Sequence, residues 1–430
     1  MRSWTATPGP RIDPTRSKQT NSRLLRVSPL LRHLPTMTRF VTLFFVTLLS
    51  SSIHAGLLYV HLLIRHGDRT PSGTFQNDPN QLPAWPVGWS ELTTEGMDEI
   101  YQQGLRLKKR YTDDLYFVGP GYKSSEVFFR STDYERTMNS AYSLLAAFYK
   151  DSRGTYPADN PNWPRGYSPV PVHTVPREID HMLSTYSNCP KRDQLESARE
   201  AEPEFHKFMA KQKDLMDYLT KMSGMEIQTY TYLHRFLDIV TIEKHKNMTI
   251  ASWITDDIVE RLNRITLQAD DYLYGSAGFG KPISRELFRI NGGAILHDII
   301  TKINNSIAGA SQPRLVGYFT HDTIINGLLR IFGAKKAATG GKRTLDYATM
   351  LALELWEFNQ KHYISMQFSG NKDSPFKSFT RSIRGCPRSR FCPLDVFLEH
   401  LKEFVVEDVE KAPVKVPQKN PYPETTKIDV

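Results

Sequence analysis

The stretch Leu57-Leu58-Tyr59-Val60-His61-Leu62-Leu63-Ile64-Arg65-His66-Gly67-Asp68-Arg69-Thr70-Pro71 decides the fold. Leu57 to Ile64 is an apolar run of the length and composition of a buried strand. The next seven residues set two guanidinium groups and one imidazole at its C-terminal end. In open α/β sheets, ligands bind in the crevice beyond the strand ends. An arginine fork matches phosphate oxygens two at a time and keeps its charge at any working pH. A neutral imidazole between two forks faces an electrophilic phosphorus. Gly67 lets the chain turn and an anion approach the backbone, and Pro71 fixes the exit. The chemistry implied is phosphoryl transfer to a histidine.

Two further strand–polar turn–helix units follow. In Glu126-Val127-Phe128-Phe129-Arg130-Ser131-Thr132-Asp133-Tyr134-Glu135-Arg136-Thr137 a short apolar strand ends in a polar turn. Thr132 and Glu135 have capping-box spacing, which sets an expected helix start. Arg136 then falls in the first turn, where free N–H groups also favour an anion. A negative partner is required there, either a phosphate or Asp133 or Glu135. Arg130 is as well suited to a structural ion pair as to ligand contact. In the third unit, Pro313 to Phe319 forms a strand, Thr320-His321-Asp322-Thr323 the turn, and Ile324 to Phe332 a helix capped by Gly333. Three such ends in one parallel-leaning sheet converge on one crevice. The pair His297-Asp298 sits in mid-helix with no strand before it, and reads as exposed or locally paired.

Arg-His-Gly-x-Arg-x-Pro after a hydrophobic strand, Arg-Ser-x-Asp-x-x-Arg-Thr and the His-Asp pair together resemble the histidine acid phosphatases. The segment from Asp78-Pro79 through Trp85-Pro86-x-Gly88 to Leu92-Thr93-x-x-Gly96-Met97 is similar to the animal members. The resemblance spans Leu57 to Val405. It implies an α/β fold with a phosphoglycerate-mutase-like mixed sheet flanked by helices, a smaller mainly helical inserted domain, and often a homodimer. It also implies that His66 is the nucleophile and Asp322 the proton donor. Arg65, Arg69, Arg136 and His321 then bind the substrate phosphate. No metal or other cofactor is required, because the arginines supply the positive charge. Asp68 lies inside the motif without a chemical step. In animal secreted members a cysteine near Cys189 pairs with one in the C-terminal tail. This tail has none.

At 430 residues the chain can bury a large core. Its net charge of +9 would suggest nucleic acid, but residues 1 to 55 hold eight basic residues and one acid. The remainder carries 47 basic and 45 acidic residues, a near-neutral body that argues against a nucleic-acid partner. Residues 1–36 read as a basic extension preceding the working start at Met37. Residues 37–55 have the layout of a signal peptide, against the alternative of an uncleaved anchor or organelle leader. Its apolar run, Phe40 to Leu49, is too short to span a bilayer, and no stable membrane anchor is expected later. Secretion, with a lysosomal variant of it, is the expected destination. Asn247 and Asn304 begin glycosylation sequons. Cys386 and Cys392 are spaced for a local disulfide, leaving Cys189 as a buried thiol or an intermolecular partner.

Between the units, 72–92 reads as a long loop and Thr94 to Tyr111 as a helix. Residues 56–150 form the first part of the α/β domain. An irregular stretch, 151–190, opens a helical insertion over 151–305, with Leu215, Tyr218 and Leu219 on one face and Ile258, Leu262 and Ile265 on another. The α/β domain resumes over 306–405, with strands at Leu351 to Phe358 and Tyr363 to Phe368 and a helix carrying Leu394, Phe397 and Leu401. Residues 406–430 read as a flexible tail. The expected function is a secreted acid phosphatase acting on small-molecule or protein phosphomonoesters. Two alternatives stand beside it: a catalytically weak secreted binding protein on a phosphatase scaffold, and a phosphoglycerate-mutase-like phosphotransferase.

Overall fold

A computed structural model describes residues 55–152, 154–185, 187–407 and 409. The extension 1–36, the segment 37–55 except Ala55, and the tail 406–430 except three residues lie outside the described residues.

Seven strands form one mixed sheet: β1 (Ala55–Arg65), β2 (Val127–Ser131), β3 (Leu315–Thr320), β4 (Met350–Phe358), β5 (Lys361–Ser369), β6 (Lys377–Ser378) and β7 (Cys392–Pro393). The order is β2-β3-β1-β4-β5-β6, with β7 also on β5. β1 and β2 each pair parallel with β3, whereas β4 and β5 run antiparallel. The apolar run of β1 has its cause in two-sided burial. Tyr59 and Leu63 join a core with Val316, Leu351 and Leu353 on one face. Val60, Leu62 and Ile64 join Phe129, Phe319 and Met350 on the other.

Two helices, α1 (Thr94–Leu107) and α2 (Glu135–Phe148), cover the second face through Ile100, Leu107, Leu144 and Phe148. The described residues of 149–189 form bends and turns without a helix or strand. Six helices follow: α3 (Pro190–Glu200), α4 (Pro203–Ala210), α5 (Lys213–Ser223), α6 (Tyr230–His245), α7 (Asp256–Leu273) and α8 (Arg285–Ile307). α5, α6 and α7 share a core of their own, with Leu219, Phe236, Val240 and Leu262 around Phe75 from the 72–92 loop. α8 packs on the first sheet face through Ile295, Ile299 and Ile303, beside α9 (Asp322–Ile331). α10 (Lys335–Thr339) and α11 (Leu394–Leu401) complete the chain, and Leu394, Phe397 and Leu401 are buried.

Two local expectations are corrected. Thr132 does not cap α2: the cap is Tyr134, with no side-chain cap bond. The Thr132 hydroxyl instead meets Thr137 Oγ1 and His321 Nε2, and tertiary partners outcompete the local cap. Tyr218 is exposed while Leu215 and Leu219 are buried, so the buried stripe of α5 is narrower than the apolar pattern.

The expected helix to Tyr111 does continue past Leu107, as a π-type turn over Lys108–Asp114. The wider turn carries Arg110 and Tyr111 to Glu354, which is fully buried on β4. Arg110 Nε and Nη2 donate to the two carboxylate oxygens at 2.7 and 2.8 Å, and Tyr111 OH and Trp356 Nε1 donate at 2.9 and 3.1 Å. Removing the arginine leaves a buried charge uncompensated. Arg110→Ala should therefore cost about 3–5 kcal/mol in denaturant unfolding, and a loss near zero would contradict this account of the turn.

Candidate active site

The register of the three parallel strands sets one level. Arg65 pairs with Thr320 and Ser131 with Phe319. Each strand ends there, and the next residues are His66, Thr132 and His321. The rings of His66 and His321 lie edge to face, centroids 5.4 Å apart. Thr132 Oγ1 meets His321 Nε2 at 3.2 Å. The turn after His66 lies against the start of α1. A Cβ on Gly67 would collide with the Gly96 backbone, and one on Gly96 with the Asp68 backbone. Two glycines are needed for that approach.

His66 is buried, and its Nδ1 is 2.8 Å from the Gly67 carbonyl oxygen. A carbonyl only accepts, so Nδ1 carries the proton and Nε2 keeps its lone pair. Burial, then the charges of Arg136, Arg65, His321 and Arg69, hold the imidazole well below its ordinary range. His321 is lowered in the same way by burial and by Arg136, against the pull of Asp322. In both rings the burial and the cations favour the neutral form.

The expected arginines gather around them. Arg65 donates Nη1 to the Leu345 carbonyl, and its Nη2 lies 3.8 Å from Asp322 Oδ2. Its guanidinium stands 4.6 Å over the Tyr347 ring. Arg69 donates to Asp238 Oδ2 at 3.0 Å, reaching α6. Arg136, in the first turn of α2, stands 4.7 Å over the ring of Tyr134, which in turn lies edge-on to His321. Arg130 instead pairs with buried Asp180 at 2.5 Å and belongs to the scaffold. Asp322 is the first residue of α9. Burial pushes its carboxyl up, but Arg65, the Thr344 hydroxyl, Arg343 and His321 together hold it well below the usual carboxylate range. His297-Asp298 is locally paired: Asp298 meets Lys302 at 2.5 Å and Tyr318 OH at 2.8 Å, and His297 meets Thr301.

Sequence reasoning missed four groups here. Tyr347 lies 5.9 Å from the His66 ring. Thr344 donates to Asp322 Oδ2, Arg343 bonds His234 and Asp270, and Asp238 holds Arg69. The first three come from the loop before β4, which carries no motif. Asp68 accepts from Thr93 and Lys246 and is fully buried, in keeping with a structural place.

Among the described residues, Glu95, Glu99 and His245 could offer ligand atoms to one cation. Lys246 is seated 2.6 Å from Glu95 and also pairs with Asp68. Cys386 and Cys392 are joined as a disulfide, and Cys189 is a buried free thiol. Asn247, after α6, and Asn304, near the end of α8, are both exposed.

Against known proteins, the model of the "Histidine phosphatase superfamily (branch 2)" matches residues 56–369. The chain is 30% identical to prostatic acid phosphatase of Homo sapiens over 388 residues, covering 89% of this chain and 95% of that protein. It is 28% identical to lysosomal acid phosphatase of Homo sapiens, covering 82% and 79%. Among solved structures, a phytase of Klebsiella sp ASR1 superposes with a TM-score of 0.55 at 14% identity, covering 85% of this chain and 100% of that one. The expected fold class therefore holds: a mixed α/β sheet flanked by helices. By the match over residues 56–369, this chain belongs to branch 2 of the histidine phosphatase superfamily.

Proposed function

We propose that the protein is an acid phosphatase that hydrolyses phosphomonoesters through a phosphohistidine on His66. The observation that carries this reading is the buried His66–His321 pair, 5.4 Å apart, set among Arg65, Arg69 and Arg136, whose charges lower the His66 pKa. In phosphoryl transfer, charge spreads over three equatorial oxygens, and catalysis is mostly positioning and electrostatics. The three arginines and the His321 N–H are suited to those oxygens. His66 Nε2 attacks phosphorus in line as the P–O bond breaks, and Asp322 gives its proton to the leaving oxygen. A phosphate dianion placed beside Asp322 offsets the cations that keep the carboxyl acidic, and so favours its protonated form. Water then gives a proton back to Asp322 and attacks phosphorus. The P–N bond breaks, returning neutral His66 and free phosphate.

The named relatives, the Cys386–Cys392 disulfide and the two exposed sequons support a secreted or lysosomal location. Further cations beside the cluster are paired with acids: Lys246 with Asp68 and Glu95, Arg343 with Asp270. That balance suits an ester with one phosphate better than a polyphosphorylated ring.

His66→Ala should abolish release of p-nitrophenol from its phosphate at acid pH, and should lose the labelled phosphohistidine trapped by an alkaline quench. Undiminished turnover in that variant would sink the proposal. The pH dependence has a definite sign. His66 must be neutral to attack, and its lowered pKa carries activity well below the ordinary imidazole range. Arg136→Gln removes a charge that lowers it. After correction for substrate ionisation, the acid limb of kcat/KM should then move towards neutral pH, with kcat down about 100-fold or more. An unmoved limb would show that Arg136 does not act on His66.

A further inference from the structure

The six residues from Lys342 to Tyr347 reach Arg65, His66 and Asp322, yet no motif marks them. The loop is held on three sides. Arg343 bonds His234 on α6 and Asp270 on α7. Leu345 offers its carbonyl to Arg65. The Asp346 carbonyl accepts from Thr349 Oγ1 at 2.7 Å, and its side chain accepts from Asn371 at 3.3 Å. Between these anchors, Thr344 donates its hydroxyl to Asp322 Oδ2. The nearest Arg65 nitrogen faces that same oxygen at 3.8 Å. The hydroxyl's hydrogen bond and the Arg65 charge therefore both fall on Oδ2.

A carboxyl that accepts a hydrogen bond on one oxygen, with a cation nearest that same oxygen, carries its proton on the other. We propose that Thr344 is a positioning residue that reserves Asp322 Oδ1 for the proton passed to the leaving oxygen. This rests on the reading of Asp322 as the proton donor. Without the hydroxyl, the carboxyl can rotate and the proton can reside on either oxygen. Protonation of the departing alkoxide is then less often aligned. Esters whose alcohol leaves poorly need that proton most, and nitrophenolate needs it least. The Thr344 hydroxyl also favours the ionised carboxyl, alongside Arg65. Its loss should let Asp322 hold its proton to higher pH.

The test compares an alkyl phosphate, such as glycerol 2-phosphate, with p-nitrophenyl phosphate. Thr344→Val keeps the shape and removes the donor; Thr344→Ser keeps the donor. Valine should lower kcat/KM, which reports transfer to His66 and not the later hydrolysis, about 10-fold for the alkyl ester, a fraction of what a general acid supplies, while the nitrophenyl ester changes little. The alkaline limb of kcat should move to higher pH. Serine should restore both. Thr344→Ala carries the same comparison if valine disturbs the loop. Equal losses on both esters, or no loss on either, would overturn the inference. Asp322→Asn separates the two levels: if it shows no leaving-group dependence, the proton-donor reading has failed; if it does and Thr344→Val does not, only the role of Thr344 has failed.

Discussion

Parallel pairing of β1 and β2 with β3 is the constraint on which the site depends. Backbone hydrogen bonds fix the register, and the register ends all three strands within one residue of each other. His66 and His321 therefore emerge side by side, and Thr132 emerges on the far side of His321. A slip of one residue would also turn each strand's apolar set over. Because β1 is buried on both faces, that slip would disturb both cores at once. The positions of the reacting groups are thus secured by apolar packing far larger than any contact they make themselves.

Concentrating arginines around neutral imidazoles raises a second requirement. Like charges at short range repel, and partial burial strengthens the repulsion. The fold answers with acids drawn from other elements. Asp238 on α6 takes Arg69, Asp322 on α9 faces Arg65, and Asp270 on α7 faces Arg343. The helices inserted before β3 are thus part of the electrostatics of the cleft as well as its wall. Arg136 also stands over an aromatic face, that of Tyr134.

Much of this was legible in the sequence. The apolar runs marked the strands because two-sided burial leaves a continuous signal, and polar residues after each run marked the cleft. What escaped was of another kind. Thr344, Tyr347 and Asp238 reach the site through loop path and helix placement, which no local period records. The Thr132–Glu135 spacing was a true pattern with a different outcome, because His321 and Thr137 competed for the same hydroxyl. Tyr218 shared the period of its buried neighbours, yet the helix rotation left it in solvent.

Arg69 and Arg343 fasten the reaction centre to α6 from two directions, one from the turn after β1 and one from the loop before β4. Any rotation of the helical layer would drag Arg69 with it and strain the loop that touches Asp322. The helical layer and the two loops that carry these arginines are thereby tied into one piece.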